Sequence, residues 1–213
     1  LIGLIGLLSN IGIRKHVLNN AEYVHSAHFN LRPDPNEISL LVIHNISLPP
    51  NQFGGDYIKD LFTGTLDPEV HPYFKEIYQL RVSAHCLIRR DGHIMQFVPF
   101  ENSAWHAGVS SFQGRPKCND YSIGIELEGA DDIPYTAEQY SALANVCNNI
   151  MLHYPNIGIG QIVGHNDIAP IRKTDPGQAF DWARFRQMLD VPLNNNGIVS
   201  NRTPMEKLNN DTD

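Results

Sequence analysis

The chain has 213 residues, 42% of them apolar and 18% charged, which fits one soluble domain with a full core. Its formal net charge is −7 and its basic residues are not clustered. That balance argues against a nucleic-acid partner and against electrostatic attachment to an anionic membrane, and no apolar run reaches the ~18 residues of a membrane span.

In chain order, Leu1–Leu8 is apolar but has no preceding basic region and no small-residue cleavage site. It reads as a packing segment rather than a secretion signal. Residues 9–37 are mixed and loop-like. Ile38–Ile43 is a short run of branched apolar residues and is predicted as a buried strand. His44 follows at its C-terminal end, where α/β sheets tend to place ligands. The stretch from Asn45 to Leu80 is polar and glycine-rich, with a short helix predicted at Ile58–Phe62. A segment of that length inside one domain suits a lid or a binding wall.

Two apolar runs, Val82–Arg89 and Ile94–Phe97, flank Asp91-Gly92 and predict a hairpin. Tyr121–Leu127 is predicted as a further strand. Its alternation puts Ile123, Ile125 and Leu127 on one face and Gly124, Glu126 and Glu128 on the other. Glu126 then overlooks a face that Gly124 leaves open. Thr136-Ala-Glu-Gln139 is a capping box, and Tyr140, Leu143, Ala144, Cys147, Ile150, Met151 and Tyr154 continue at helical spacing. Gln161–Val163 is a short strand leading into His165. Asp181 caps a last helix carrying Trp182, Phe185 and Leu189. From Pro192 the tail is rich in Asn and is expected to be disordered. Strands alternating with helices predict a single-domain α/β fold, a central mixed β-sheet flanked by helices.

Three cysteines, Cys86, Cys118 and Cys147, are too few and too widely spaced for a disulfide framework or a CxxC metal site. Free thiols in a reducing compartment are expected. Cys86 cannot form a dyad with His85, because adjacent strand residues face opposite ways.

The run His165-Asn-Asp-Ile-Ala-Pro-Ile-Arg-Lys173-Thr-Asp175-Pro-Gly carries the chemistry. Pro176 biases Asp175 toward an extended backbone, where residues two apart point the same way. The Asp175 carboxylate and the Lys173 ammonium should therefore face one space. Together with an imidazole such a pair can hold a metal and stabilise an oxyanion. By itself the run fits a surface loop with an ordinary ion pair equally well. Most of the ten histidines have bland roles: His153 ends a helix, His93 sits in a turn, and His85 suits a hydrogen-bonded core position.

Five segments in order add a resemblance: Leu41-Val-Ile-His-Asn-Ile-Ser-Leu-Pro-Pro50, Ser83-Ala-His-Cys-Leu-Ile-Arg-Arg-Asp-Gly92, Ala104-Trp-His-Ala-Gly-Val-Ser-Ser111, Ser122-Ile-Gly-Ile-Glu-Leu-Glu-Gly129 and Arg172-Lys-Thr-Asp-Pro-Gly177. From about Leu31 to Leu189 the chain resembles the AmpD-type 1,6-anhydro-N-acetylmuramyl-L-alanine amidases of the amidase-2, peptidoglycan-recognition-protein-like family. The resemblance implies an N-terminal extension over 1–30, a zinc amidase domain over 31–191 and a tail over 192–213. It implies a Zn2+ site made by His44, His165 and Asp175, three protein ligands with the fourth position open for chemistry. It assigns Glu126 to move the proton of the attacking water to the leaving amine, and Lys173 to stabilise the oxyanion.

The resemblance also places Asn45, Tyr73, Arg81, Trp105, His106 and Lys117 in the substrate wall. Arg81 could fork onto a peptide carboxylate and Trp105 could stack on a sugar, or they could be a solvated cation and a core ring. The family often has Arg where this chain has Lys117, and lysine loses the bidentate fork. The expected partner is a small anhydro-muropeptide, met by a cytoplasmic monomer. A secreted or phage-type amidase acting on polymeric wall and a non-catalytic recognition module are the alternatives. Lytic relatives often carry Cys at the third ligand, where this chain has Asp175. Recognition modules typically lose a ligand, and here all three positions are filled.

Overall fold

Glu22–Tyr23 (β1), Leu40–Ile46 (β2), Cys86–Ile88 (β3), Ile94–Gln96 (β4), Ser122–Glu128 (β5) and Ile162–Gly164 (β6) form one sheet in the order β6-β2-β5-β3-β4-β1. A computed structural model describes residues 12–190 of the chain. The expectations for Leu1–Leu8 and for the Asn-rich tail fall outside those residues. β2, β3, β5 and β6 run parallel, β4 returns antiparallel to β3, and β1 is parallel to β4. The sheet is therefore mixed, as the alternating pattern predicts. It takes its edge strand from residues 22–23, within the stretch read from sequence as an N-terminal extension. Leu18, just before that strand, is buried in the main core.

Alternation sorts the two faces. Leu41 and Ile43 of β2 and Ile123, Ile125 and Leu127 of β5 pack against a long helix, Ala137–His153, through Leu143, Cys147 and Ile150. Thr136 caps that helix as predicted, its side chain accepting from Gln139 N at 3.1 Å. The Gln139 amide also donates to Glu128 O at 2.9 Å, so the helix start is fastened to β5. The last helix, Trp182–Gln187, is capped by Asp181 and buries Phe185 in the same core.

The opposite face carries the segment 45–80. It contains the predicted short helix, observed as Tyr57–Thr63, and a second one, Phe74–Ile77, that its composition did not signal. Ile58, Leu61, Phe62, Phe74 and Ile77 are buried against Leu87, Met95 and Phe97. Glu128 fixes the segment's near end: Gly54 N donates to its Oε1 at 2.6 Å and Arg90 N to its Oε2 at 3.0 Å. The segment is a packed wall, fastened to the turn between β3 and β4. Among the described residues no helix is long and apolar enough to cross a membrane.

Cys86, Cys118 and Cys147 are all free and buried. Burial pushes the Cys86 and Cys147 thiols well above the usual thiol range. A thiolate-specific reagent is expected to leave all three untouched in the native protein and to titrate three after denaturation without reductant. A count of one would reveal a disulfide.

Candidate metal centre

The site is placed by strand register. In the parallel pair β2 and β5, His44 lies beside Glu126. The face that buries Leu41 and Ile123 under the long helix thus turns His44 and Glu126 together toward the other side. β6 delivers His165, which opens a one-turn helix, His165–Ile168. Gly164 N donates to Asp167 Oδ2 at 2.7 Å and closes that turn. Asn166 N donates to Asp175 O at 3.0 Å, tying the turn to the loop that carries Asp175. Gly177, at φ 80°, ends the loop where any Cβ would overlap the backbone of Asp131. Both the positive φ and the close approach demand glycine there.

Nδ1 of His44 and Nδ1 of His165 approach to 2.9 Å, and they lie 3.1 Å and 3.0 Å respectively from Asp175 Oδ2. The outer nitrogens are also engaged. His165 Nε2 donates to Ala107 O at 3.2 Å, and His44 Nε2 lies 2.9 Å from His106 Nδ1. A carbonyl only accepts, so in this contact His165 Nε2 carries the proton. Burial lowers His44 to about 4, against the raising contact of Asp175. Burial raises the Asp175 carboxyl, but the contacts of His165 and then His44 outweigh it and hold it well below the usual carboxylate range. Two imidazole nitrogens and one carboxylate oxygen therefore converge within about 3 Å of one another, close enough to share one cation. The donor set of two nitrogens and one oxygen suits zinc.

Glu126 stands next to this trio. It is buried, and its Oε2 has no hydrogen-bond partner among the described residues. Burial, and after it the Asp175 carboxylate, push the Glu126 carboxyl well above the usual range, while Lys173 acts the other way. Glu128, two residues on, is held by two backbone N–H groups and belongs to the scaffold.

A cleft of about 360 Å³ gathers most of the residues singled out from the sequence. His44, His165, Asp175, Glu126 and Lys173 share it with Asn45, Tyr73, Trp105 and His106. Arg81 and Lys117 are not among the residues that line it. Arg81 lies over the Trp105 ring, 5.2 Å from its centroid, and Lys117 is exposed on a turn at φ 61°.

Asn45 Nδ2 donates to Asp131 Oδ1 at 2.8 Å and to Pro176 O at 3.1 Å, so it braces the Asp175 loop as well as facing the cleft. The space beside Gly124 is not open: the His106 ring fills it, where any Cβ would collide. Trp105 is stacked on His28, with centroids 5.9 Å apart and planes 7° from parallel, and its indole N–H donates to Asn30. The bracing residue Asp131 carried no sequence signal, because its contact with Asn45 joins segments far apart in the chain.

The chain resembles known proteins in both sequence and fold. The profile described as N-acetylmuramoyl-L-alanine amidase matches residues 34–178. The 1,6-anhydro-N-acetylmuramyl-L-alanine amidase AmpD of Haemophilus influenzae is 60% identical over 173 residues, 81% of this chain and 94% of the relative. A crystal structure of a selenomethionine AmpD derivative superposes with a TM-score of 0.81 at 59% identity, covering 84% of this chain and 99% of that one. The Escherichia coli amidase AmiD, solved with anhydro-N-acetylmuramic acid-L-Ala-D-γ-Glu-L-Lys, superposes with a TM-score of 0.54 at 29% identity, covering 84% and 66%.

The buried imidazoles make a pH prediction for the metal-free fold. His44 and His85 are lowered by burial from 6.5 to about 4 and about 3, and His106 is lowered by burial in the same direction. The unfolded chain therefore takes up protons below about 6.5 that the folded chain refuses. The stability present above that pH is lost as pH falls toward the folded values, on the order of 1 kcal/mol per histidine per pH unit. Glu126, raised in the fold, works in the opposite direction but is one group against three. The Tm of chelator-treated protein is expected to drop between pH 7 and pH 5. A flat or rising Tm would overturn the assignment of neutral buried rings.

Proposed function

The chain belongs to the N-acetylmuramoyl-L-alanine amidase family, and from that premise we propose that it is a zinc hydrolase. It cleaves the amide between the lactyl group of 1,6-anhydro-N-acetylmuramic acid and L-alanine, in cytoplasmic recycling of peptidoglycan fragments. The observation that carries this reading is the convergence of two imidazole Nδ1 atoms and one carboxylate oxygen beside a buried, unpartnered carboxyl group.

His44, His165 and Asp175 would hold the zinc. When bound, the metal lowers the pKa of water to about 7 and polarises the scissile carbonyl. Glu126 has the placement of a proton carrier. It takes the proton that water loses as its oxygen attacks the carbonyl carbon, and returns that proton to the alanine nitrogen as the C–N bond breaks. A group with no fixed hydrogen-bond partner on Oε2 is free to do both. The Lys173 ammonium, in the same cleft, offsets the negative charge that grows on the carbonyl oxygen. The products are the lactyl carboxylate and the free amine of the peptide.

Substrate class follows from the relatives and from the wall. The AmpD relatives are 1,6-anhydro-N-acetylmuramyl-L-alanine amidases by name, and AmiD was solved with anhydro-N-acetylmuramic acid-L-Ala-D-γ-Glu-L-Lys. The packed segment 45–80 closes one side of the cleft, through Leu48, Leu61 and Tyr73, and this favours a short soluble fragment over a glycan that must thread through. Trp105 and Asn45 remain the candidate contacts for sugar and peptide. Arg81 at the rim remains the candidate for a peptide carboxylate.

Metal analysis is expected to give one zinc per chain, lost in His165→Ala. Glu126→Ala is expected to keep the zinc and to lose about 10²–10⁴ in turnover. Near-normal turnover in that variant would reduce Glu126 to a structural group. The second test ranks kcat/KM for a 1,6-anhydro-muropeptide, its reducing-end counterpart and polymeric wall, in that expected order. Equal values would leave the hydrolase standing and remove the recycling role.

A further inference from the structure

The outer partners of both histidine ligands lie on one dipeptide, and we propose that His106 is a positioning residue that holds the His44 ring for the metal. This rests on the zinc reading above and departs from the substrate-wall role that resemblance assigned to His106.

The hydrogen-bond directions leave little choice. A metal on His44 Nδ1 requires the proton on Nε2, which then donates to His106 Nδ1 at 2.9 Å. His106 must in turn carry its own proton on Nε2, facing Ser122 Oγ at 3.1 Å. The next residue supplies the partner of the other ligand: His165 Nε2 donates to Ala107 O at 3.2 Å. One segment therefore sets the tautomer and the tilt of both rings.

That segment is itself fixed. Asn119 Oδ1 accepts from His106 N at 3.3 Å and from Ala107 N at 2.8 Å. Arg172, which lies in the same loop as the ligand Asp175, donates to Ala107 O at 2.7 Å and ties that loop to the dipeptide. Gly124 completes the arrangement, since the His106 ring occupies the space a side chain there would need. Outer partners of this kind orient metal ligands, and their loss typically lowers metal affinity by about 10–100-fold.

Two substitutions separate positioning from packing and from substrate contact. In His106→Asn the amide oxygen stands where Nδ1 was and can still accept from His44. In His106→Gln the amide reaches toward Ser122 and leaves His44 without its acceptor. Zinc affinity is read by chelator competition on the full chain, with the Tm of the metal-free protein and the spectrum of the cobalt-substituted protein alongside. The Gln variant is expected to bind zinc about 10–100-fold more weakly and to alter the cobalt spectrum, and the Asn variant to stay within a few-fold of the parent. Parent-like zinc affinity in both variants with a raised KM would overturn the proposal and return His106 to the substrate wall. Equal weakening in both, in step with the metal-free Tm, would overturn it in favour of packing alone. Absence of zinc from the parent would instead overturn the metal assignment itself.

Discussion

The pairing of His44 with Glu126 across two parallel strands is the contact on which the site depends. It is fixed from the far side of the sheet. Leu41, Ile43, Ile123, Ile125 and Leu127 must all meet the long helix Ala137–His153. A slip of one residue in either strand would turn that strand's apolar set into the cleft and its polar set into the core. Hydrophobic burial thus sets the position of Glu126 relative to His44. The chemistry has no register device of its own.

Two acids on one strand show how much environment decides. Glu126 and Glu128 leave the same face, two residues apart, and both are buried. Glu128 accepts from Gly54 N and Arg90 N and is part of the frame. Glu126 is left with an oxygen that has no hydrogen-bond partner among the described residues, beside His44, His165 and Asp175. A buried polar atom without a partner costs on the order of 1–3 kcal/mol, which selection tolerates where the group has a task.

Periodicity made much of this legible in the sequence. Strand alternation gave the faces of Ser122–Glu128, and the Thr136 capping box gave the start of the longest helix, because both signals are local. The Lys173-Thr-Asp175 run placed two charges in one space by backbone rules alone. The remainder needed contacts between distant segments. Nothing near His106 announces a ring lodged against Gly124, and nothing near Asn45 announces a bond to Asp131. The segment 45–80 fitted a lid or a binding wall equally well, because its buried residues are scattered among turns and their shared partners, Leu87, Met95 and Phe97, lie elsewhere in the chain.

The fastening of that segment changes how association energy is used. Immobilising a flexible side chain on binding costs about 0.5–1.5 kcal/mol. Here Ile58, Leu61, Phe62 and Phe74 are already buried, and Gly54 is already held by Glu128. The entropy loss of ordering the wall is met once, when the chain folds, and not again at each encounter. A muropeptide entering the cleft meets a finished mould, so its contact energy goes into aligning one amide bond against Glu126, His44, His165 and Asp175.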